Sequence, residues 1–287
     1  MDSPSIRLEL ESRPECVTLV RSALAGVGES MKFESELLDD LKTAVSEACN
    51  NVAVHAYEGA AGPLVVKLDI DPEGIHVVVR DRGGGMRKVA SSEDRMGVGL
   101  AVISALADRA EFLSAPDGGT EVRMTFDHQL VAAPGGPGAP ARATQSAAEL
   151  PEELPSLAGD VVVTLSPVVL VASLLGRLAR TLAASAHFSL DRFSDLYLVA
   201  DAVAAHAQTA ATGARIGFAI ASAERRLELT IGPLQVNSGT KLGAGAPTDR
   251  PRSPLALLAD ELSVEPVDGS ELLHLVLIDR RPSRTSA

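Results

Sequence analysis

The hydrophobic pattern of this chain occurs twice, which constrains the chain to build two versions of one arrangement of helices and strands. An offset of 155 residues aligns the N-terminal stretch of the first half with that of the second half without a gap. An offset of 152 residues aligns the strands that follow. Amphipathic sequences can align by chance, but a long ungapped register with one order of elements favours tandem duplication. The matched pairs include Leu10 with Leu165, Leu19 with Leu174, Phe33 with Phe188, Leu64 with Ile216 and Val77 with Leu229.

The first half shows the hydrophobic periods of both strands and helices. Residues 6–10 alternate between apolar and charged side chains, which predicts a half-buried strand. Spacings of three and four residues predict helices over 14–27 and 36–55, and we expect Gly26 and Gly28 to mark the end of the first helix. The remaining predicted elements are strands at 64–70, 75–81, 111–115 and 120–126, and a short helix at 99–108.

A segment that is poor in core-forming residues separates the two halves. Residues 128–159 contain five prolines and four glycines, and this composition predicts a flexible linker. We therefore expect a first domain at 1–127, a second at 160–281 and a polar tail at 282–287. The pattern predicts an α/β class fold, an α+β sandwich in each half, with helices packed on one face of a mixed, mostly antiparallel sheet.

Composition excludes several function classes. A net charge of −12 argues against direct binding of nucleic acid, because contacts to phosphates need a basic face. Cys16 and Cys49 lie in apolar helical patterns, so we expect no disulfides and a cytoplasmic location. Residues 1–11 lack the apolar run of a signal peptide. Residues 161–176 are broken by Pro167 and predict a buried strand followed by a helix, with no attachment to a membrane.

The second predicted helix carries an unusual row of polar side chains. Glu47, Asn51 and His55 are spaced four residues apart, so an α-helix would place them on one face. A carboxylate, a carboxamide and an imidazole in one row could bind a ligand or perform chemistry. The ordinary alternative is a solvated helix face, and this stretch by itself does not decide between the two.

Two glycine-containing segments follow this helix. Asp81 ends an apolar strand and precedes glycines, including Gly83 and Gly85, that permit close approach of a ligand to the backbone. Residues 97–100, Gly-Val-Gly-Leu, open an apolar helix whose backbone N–H groups favour phosphate. They do not form a dinucleotide fingerprint, because no strand immediately precedes them. A plain turn from a strand to a loop is the alternative for the first segment.

Taken in order, these residues resemble the ATP-binding domain that is shared by DNA gyrase, histidine kinases, the mismatch-repair protein MutL and a heat-shock chaperone (the GHKL superfamily). The similarity is strongest to the anti-sigma-factor serine kinases of partner-switching systems. Residues 41–57 resemble their N-box, residues 81–85 and 97–100 resemble their two glycine boxes, and residues 118–120 resemble a late Gly-Gly-Thr. The resemblance covers residues 6–127 and implies a Bergerat-type ATP-binding fold.

The resemblance implies ATP and Mg²⁺ as cofactors and gives a role to each matching position. Glu47 would be the catalytic general base, Asn51 would ligate Mg²⁺, and Asp81 would accept the adenine amino group. The other implied contacts are Gly83, Gly85 and Thr120 around adenine, and Gly97, Val98, Gly99 and Leu100 around the phosphates.

By the same resemblance, the chain would be a cytoplasmic anti-sigma factor that regulates transcription. It would bind a sigma factor and an anti-anti-sigma protein with a STAS domain, and it would act on the latter as a serine/threonine protein kinase. The lid at 86–96 is short, which leaves open a non-catalytic module that binds proteins in a nucleotide-dependent manner. A sensor histidine kinase is disfavoured because only about 40 residues precede the Glu47 helix.

The second half has lost the residues that carry this chemistry. The counterparts of Glu47, Asn51, Asp81 and Gly83 are Ala202, His206, Pro233 and Gln235. We therefore expect a degenerate copy that binds no ATP, a structural role for His206 and a mobile loop at 237–253 in place of the lid. Related kinases dimerise, so the alternatives for assembly are a homodimer and an intramolecular pseudo-dimer in which the second half replaces a partner subunit.

Overall fold

A computed structural model describes residues 3–84, 96–115, 118–128, 154–242 and 253–280 of the chain. The first half begins with a strand whose apolar side chains are buried, as its alternation predicts. The predicted helix at 36–55 is an α-helix as far as Asn51 and then a π-helical turn. The elements are β1 (Ser5–Glu11), α1 (Glu15–Met31), α2 (Ser35–Asn51), the π turn (Val52–Ala56), β2 (Pro63–Asp71), β3 (Gly74–Asp81), α3 (Met96–Leu106), β4 (Arg109–Ser114) and β5 (Thr120–Phe126).

The second half contains the same order of strands and helices. The strand and helix predicted at 161–176 are confirmed, and the helix continues to Ser185. The elements are β6 (Val161–Ser166), α4 (Val171–Ser185), α5 (Leu190–Ala210), β7 (Ile216–Ala223), β8 (Arg226–Leu234), α6 (Pro254–Leu258), β9 (Glu261–Val267) and β10 (Ser270–Ile278). Their order is a structural likeness between the halves, and descent from one duplicated unit stays a prediction.

The ten strands of the described residues form one continuous sheet rather than two. Their order is β4-β5-β3-β2-β1-β6-β7-β8-β10-β9. Every pairing between these strands is antiparallel, so the parallel component of the expected mixed sheet does not occur among them. The halves meet where β1 pairs with β6, with Ile6 opposite Leu165 and Leu8 opposite Val163.

The helices pack on the sheet and on one another across the junction of the halves. In the first half α1 contacts α2, in the second α4 contacts α5, and α1 also contacts α4. The interior is aliphatic, in keeping with an aromatic content of 3%. Representative fully buried side chains are Ile6, Leu8, Leu24, Val45, Val66, Phe126, Leu174 and Phe218.

The two glycines that we expected to end α1 lie inside it instead. A Cβ on Gly26 would lie 2.5 Å from the carbonyl oxygen of Ser173 in α4, and a Cβ on Gly28 would lie 2.6 Å from Cδ1 of Leu38. The helix ends at Met31 and is capped by Lys32, whose φ of 57° is left-handed. The glycines therefore permit close packing of helices, which a local pattern cannot distinguish from a helix end.

Both ends of the expected flexible linker make contacts. The ring of His128 lies 5.0 Å from that of Phe33, centroid to centroid, in an edge-on arrangement. Leu154 and Leu157 lie over β7, where a Cβ on Gly217 would come within 3.2 Å and 2.9 Å of their Cδ1 atoms. The linker prediction for the remainder, 129–153, falls outside the described residues.

One segment of the described residues, Val168–Ser185, is long and apolar enough to cross a membrane. Half of this segment is buried inside the fold, as expected for a core helix. It contains α4, which contacts α1, α5 and β7.

Candidate functional site

Helix α2 brings Glu47 and Asn51 to the start of α3. The two residues are one turn apart and half-buried. Gly99 of α3 faces both, since a Cβ there would lie 3.2 Å from Oε2 of Glu47 and 3.3 Å from Oδ1 of Asn51. Gly99 is itself buried, so its missing side chain leaves space between a carboxylate, a carboxamide and the first turns of a helix.

The row of polar residues on α2 ends at Asn51. Residues Val52–Ala56 form a π-helical turn, so His55 does not continue the regular four-residue spacing that the sequence predicted. Such turns are rare in proteins as a whole, but the ones that occur are often found at functional sites. This one delivers the carbonyl group of Ala56 to the loop after β3, which contains Gly83 and Gly84.

Asp81 lies at the end of β3 with 2% of its surface exposed. Its Oδ1 accepts a hydrogen bond from the Gly83 N–H at 2.7 Å, and its Oδ2 accepts one from the Thr120 N–H at 3.2 Å. An ionised carboxylate has about four lone-pair positions, so further acceptor positions remain. Asp81 can therefore fix the loop and still accept a hydrogen bond from a ligand amino group.

Glycines surround Asp81 because the backbone there is crowded. A Cβ on Gly83 would lie 2.1 Å from the carbonyl oxygen of Ala56, and one on Gly119 would lie 2.3 Å from the carbonyl oxygen of Asp81. Gly119 also has a φ of +84°, which other residues rarely adopt. The loop after β3 and the start of β5 are thus held close together around one buried carboxylate.

The predicted site residues fall into two groups. Glu47 and Asn51 meet Gly99, and Asp81 meets Gly83 and Thr120. The π turn connects the groups, because it follows Asn51 directly and contacts Gly83. Three other predicted residues lie at the start of α3: Gly97 in its first turn, Val98 with 65% of its surface exposed, and Leu100, which is partly buried. Gly85 and residues 86–95 of the lid lie outside the described residues.

The donor set at this site suits Mg²⁺ and the polar groups of an adenine nucleotide. Asn51 offers an amide oxygen and Glu47 a carboxylate, and hard cations such as Mg²⁺ prefer oxygen ligands. Any side chain on Gly99 would fill the space beside both groups. The N–H groups at the start of α3 suit phosphate, and Asp81 retains acceptor capacity for an amino group.

Our reading of the sequence missed Tyr57 and Gly119. Tyr57 lies within the stretch that resembles the N-box, but neither its type nor its spacing indicated a role. Its hydroxyl donates a hydrogen bond to the Pro63 carbonyl at 2.6 Å and accepts one from the Arg82 N–H at 2.8 Å. Desolvation by burial raises the pKa of Tyr57. The Gly-Gly pair before Thr120 was the available signal for Gly119.

In the second half, a buried glutamate stands at the sequence position that aligns with Thr120. Aligning Asp117-Gly118 with Asp268-Gly269 puts Glu271 at the position of Thr120. Glu271 is 5% exposed, and it accepts hydrogen bonds from the Asn237 N–H at 2.9 Å and the Gly239 N–H at 2.5 Å. The hydroxyl of Ser238 donates a third bond to it at 2.9 Å. The beginning of the segment that we predicted to be mobile is therefore anchored, and 243–252 lies outside the described residues.

His206, the counterpart of Asn51, joins this anchored segment. Its Nε2 lies 3.3 Å from Oγ of Ser238. Burial lowers the pKa of His206, and Lys241 lowers it further, while Glu271 acts in the opposite direction. The neutral ring is thereby favoured at neutral pH. These contacts are those of a packed structural histidine.

Comparisons with known proteins match the first half of the chain. Residues 10–126 match the histidine kinase-like ATPase domain. The chain is 31% identical over 137 residues to a serine-protein kinase RsbW of Bacillus pumilus, covering 42% of the chain and 83% of that protein. It is 31% identical over 130 residues to an anti-sigma F factor of Thermoanaerobacter, with 42% and 91% covered, and 32% identical to one of Caldanaerobacter subterraneus. Through its first half, the chain belongs to the family of histidine kinase-like ATPase domains.

Proposed function

We propose that the chain is an ATP-binding anti-sigma regulatory factor. Its first half would bind ATP with Mg²⁺, hold a sigma factor and release it when a STAS-domain anti-anti-sigma protein competes. The observation that carries this proposal is the meeting of Glu47, Asn51 and Gly99 beside the start of α3. The names of the relatives, serine-protein kinase RsbW and anti-sigma F factor, support the regulatory class.

Each group at the site has a physical task in this proposal. Asp81 accepts a hydrogen bond from the adenine amino group, and Gly83, together with Gly85 outside the described residues, would shape the adenine pocket. Asn51 offers its amide oxygen to Mg²⁺, and residues 97–100 direct backbone N–H groups to the phosphates. ATP and Mg²⁺ supply the phosphoryl group and its charge neutralisation. Glu47 takes the proton from the serine hydroxyl of the protein substrate.

Replacing the base tests the kinase assignment. Glu47→Ala should lower the rate of phosphoryl transfer to the STAS-domain partner by about 10²- to 10⁴-fold, because it removes general-base catalysis. ATP affinity should change little, since Asp81 and Asn51 remain. The measurement is transfer from labelled ATP to a panel of STAS-domain proteins, with nucleotide binding measured in parallel. Glu36→Ala, an exposed acid on the same helix, is the matched control. Undiminished transfer by Glu47→Ala would refute the assignment of the base.

A non-catalytic module is the second candidate, and the anchored second half favours it. There Glu271 holds the loop after β8 through hydrogen bonds within the chain, and a surface kept in place by such contacts could bind a protein. The same assay separates the candidates. Nucleotide-dependent binding of partners with no transfer by the unaltered chain would establish the module and exclude the kinase.

The proposal includes the organisation of the chain into a domain at 1–127 and a degenerate copy at 160–281 that binds no ATP. The copy would take the place of a partner subunit in an intramolecular pseudo-dimer. Three contacts support this: β1 pairs with β6, the Ser22 and Thr181 hydroxyls are 2.9 Å apart, and Arg177 forms an ion pair with Glu29. The central strand edge that a second copy could use is already paired within one chain.

A further inference from the structure

Tyr57 connects the helix that carries Glu47 and Asn51 to the loop that follows Asp81. The residue comes directly after the π turn that extends α2. Its hydroxyl accepts a hydrogen bond from the Arg82 N–H at 2.8 Å and donates one to the Pro63 carbonyl at 2.6 Å. One hydroxyl group therefore bridges the loop after β3 and the first residue of β2.

The ring of Tyr57 is held in place by backbone on its other side. A Cβ on Gly62 would lie 2.3 Å from Cε1 of the ring, so the ring lies directly on the Gly62 backbone. Gly62 is fixed in turn by Ser12, whose N–H donates to the Gly62 carbonyl at 2.7 Å and whose hydroxyl accepts from the Gly62 N–H at 3.1 Å. The ring therefore has little freedom to move away from Arg82.

A second connection runs beside the first. The Ala56 carbonyl accepts a hydrogen bond from the Gly84 N–H at 3.0 Å, and Gly83 packs against the same carbonyl. Residues 82–84 are thus tied at two points to the end of α2, and Asp81 is tied to the same loop through the Gly83 N–H. The position of the Asp81 carboxylate relative to Glu47 and Asn51 depends on these ties.

We propose that Tyr57 is a positioning residue that sets the adenine-binding loop at a fixed distance from the phosphate and metal side of the site. This inference rests on the proposed function, since it assigns the base to the Asp81 loop. Tyr57 touches no nucleotide atom in this scheme. It acts through the Arg82 N–H, and its loss would loosen recognition of the base while leaving Glu47, Asn51 and α3 intact.

Removing the hydroxyl alone tests the proposal in the full chain. Tyr57→Phe keeps the ring on Gly62 but removes one acceptor and one donor. We expect ATP and ADP affinities to fall by the same factor, about 3- to 10-fold, the equivalent of one ordinary hydrogen bond. The preference for ATP over GTP should fall as well, because the group that reads the base has become less fixed. A purely structural role would lower the unfolding temperature without changing that preference.

Two further variants make the outcome decisive. Gly62→Ala keeps the hydroxyl but displaces the ring, and it should reproduce the loss of nucleotide preference. Tyr197→Phe, on an exposed tyrosine of α5, should change neither affinity nor preference. Unchanged ATP affinity and unchanged preference in both Tyr57→Phe and Gly62→Ala would overturn the inference. If the unaltered chain failed to bind ATP at all, the proposed function itself would fall, so the two failures are distinguishable.

Discussion

At the scale of single residues, each half of the molecule buries one carboxylate beside the loop that follows its third strand. In the first half this is Asp81, which holds Gly83 and Thr120 and keeps acceptor capacity. In the second half it is Glu271, which receives three donors from Asn237, Ser238 and Gly239. A carboxylate with three donors from its own chain has less acceptor capacity left for a ligand than one with two donors.

The two cysteines are free and buried, and we expect both thiols to react slowly in the folded chain. Burial raises the pKa of Cys16 to about 11, with Glu15 adding to the effect, and burial raises the pKa of Cys49 as well. The reactive thiolate of Cys16 should therefore be about a hundredfold scarcer at pH 8 than that of an ordinary thiol. We expect a disulfide reagent to titrate no thiol in the native chain within minutes and two thiols after unfolding in guanidinium.

The sign of the pH effect follows from the same shift. Because the folded pKa of Cys16 is raised, its protonated form stabilises the fold below the unfolded value of 9.0, and this contribution is lost as the pH rises towards 11. Cys16→Ala should weaken the decline in unfolding free energy over that range and leave one thiol to titrate after unfolding. Rapid labelling of two thiols in the native chain at pH 8 would contradict this account.

The residue types in the sequence indicated which side chains could carry the chemistry. They did not indicate which side chains hold the neighbouring loops in place. Glu47, Asn51 and Asp81 stood out because polar groups are unusual at those places in apolar elements. Tyr57 and Glu271 did not, because a tyrosine after a helix and an acid in a strand are ordinary, and only the distances to Arg82 and Asn237 give them roles.

At the scale of elements, alternation and helical spacing predicted the strands and helices of both halves well. The errors came from interactions between elements distant in sequence. The glycines inside α1 pack against Ser173 and Leu38, and the π turn after α2 contacts the loop of Gly83. Neither cause is present in the local pattern of α1 or α2.

The close contact between α1 and α4 can be tested by adding one methyl group to Gly26. Gly26→Ala should lower the free energy of unfolding, because its Cβ meets a backbone oxygen of α4 and overpacking costs about 1–3 kcal/mol. The gain of about 1 kcal/mol that alanine brings to a helix offsets part of this cost and leaves a net loss of up to about 2 kcal/mol. Gly28→Ala is the matched control, since its Cβ meets only the flexible end of Leu38. Chemical denaturation measures both, and a Gly26→Ala chain more stable than the parent would refute the crossing.

At the scale of the whole molecule, the sheet is continuous through the junction of the halves. The sequence repeat predicted two similar units but could not predict that β1 and β6 pair, because a strand edge is made of backbone groups and has no residue signature. The result is an asymmetric molecule. One half carries Glu47, Asn51 and Asp81, and in the other half the buried carboxylate of Glu271 holds the loop after β8.

This asymmetry predicts one nucleotide site for each chain of 287 residues. Calorimetric titration of ATP with Mg²⁺ into the intact chain measures that number directly. We expect a stoichiometry of one, with affinity lowered at least about tenfold by Asp81→Asn, which removes a charged acceptor, and unchanged by Asp69→Asn on the neighbouring strand β2. Two sites per chain, or a single site indifferent to Asp81→Asn, would contradict it.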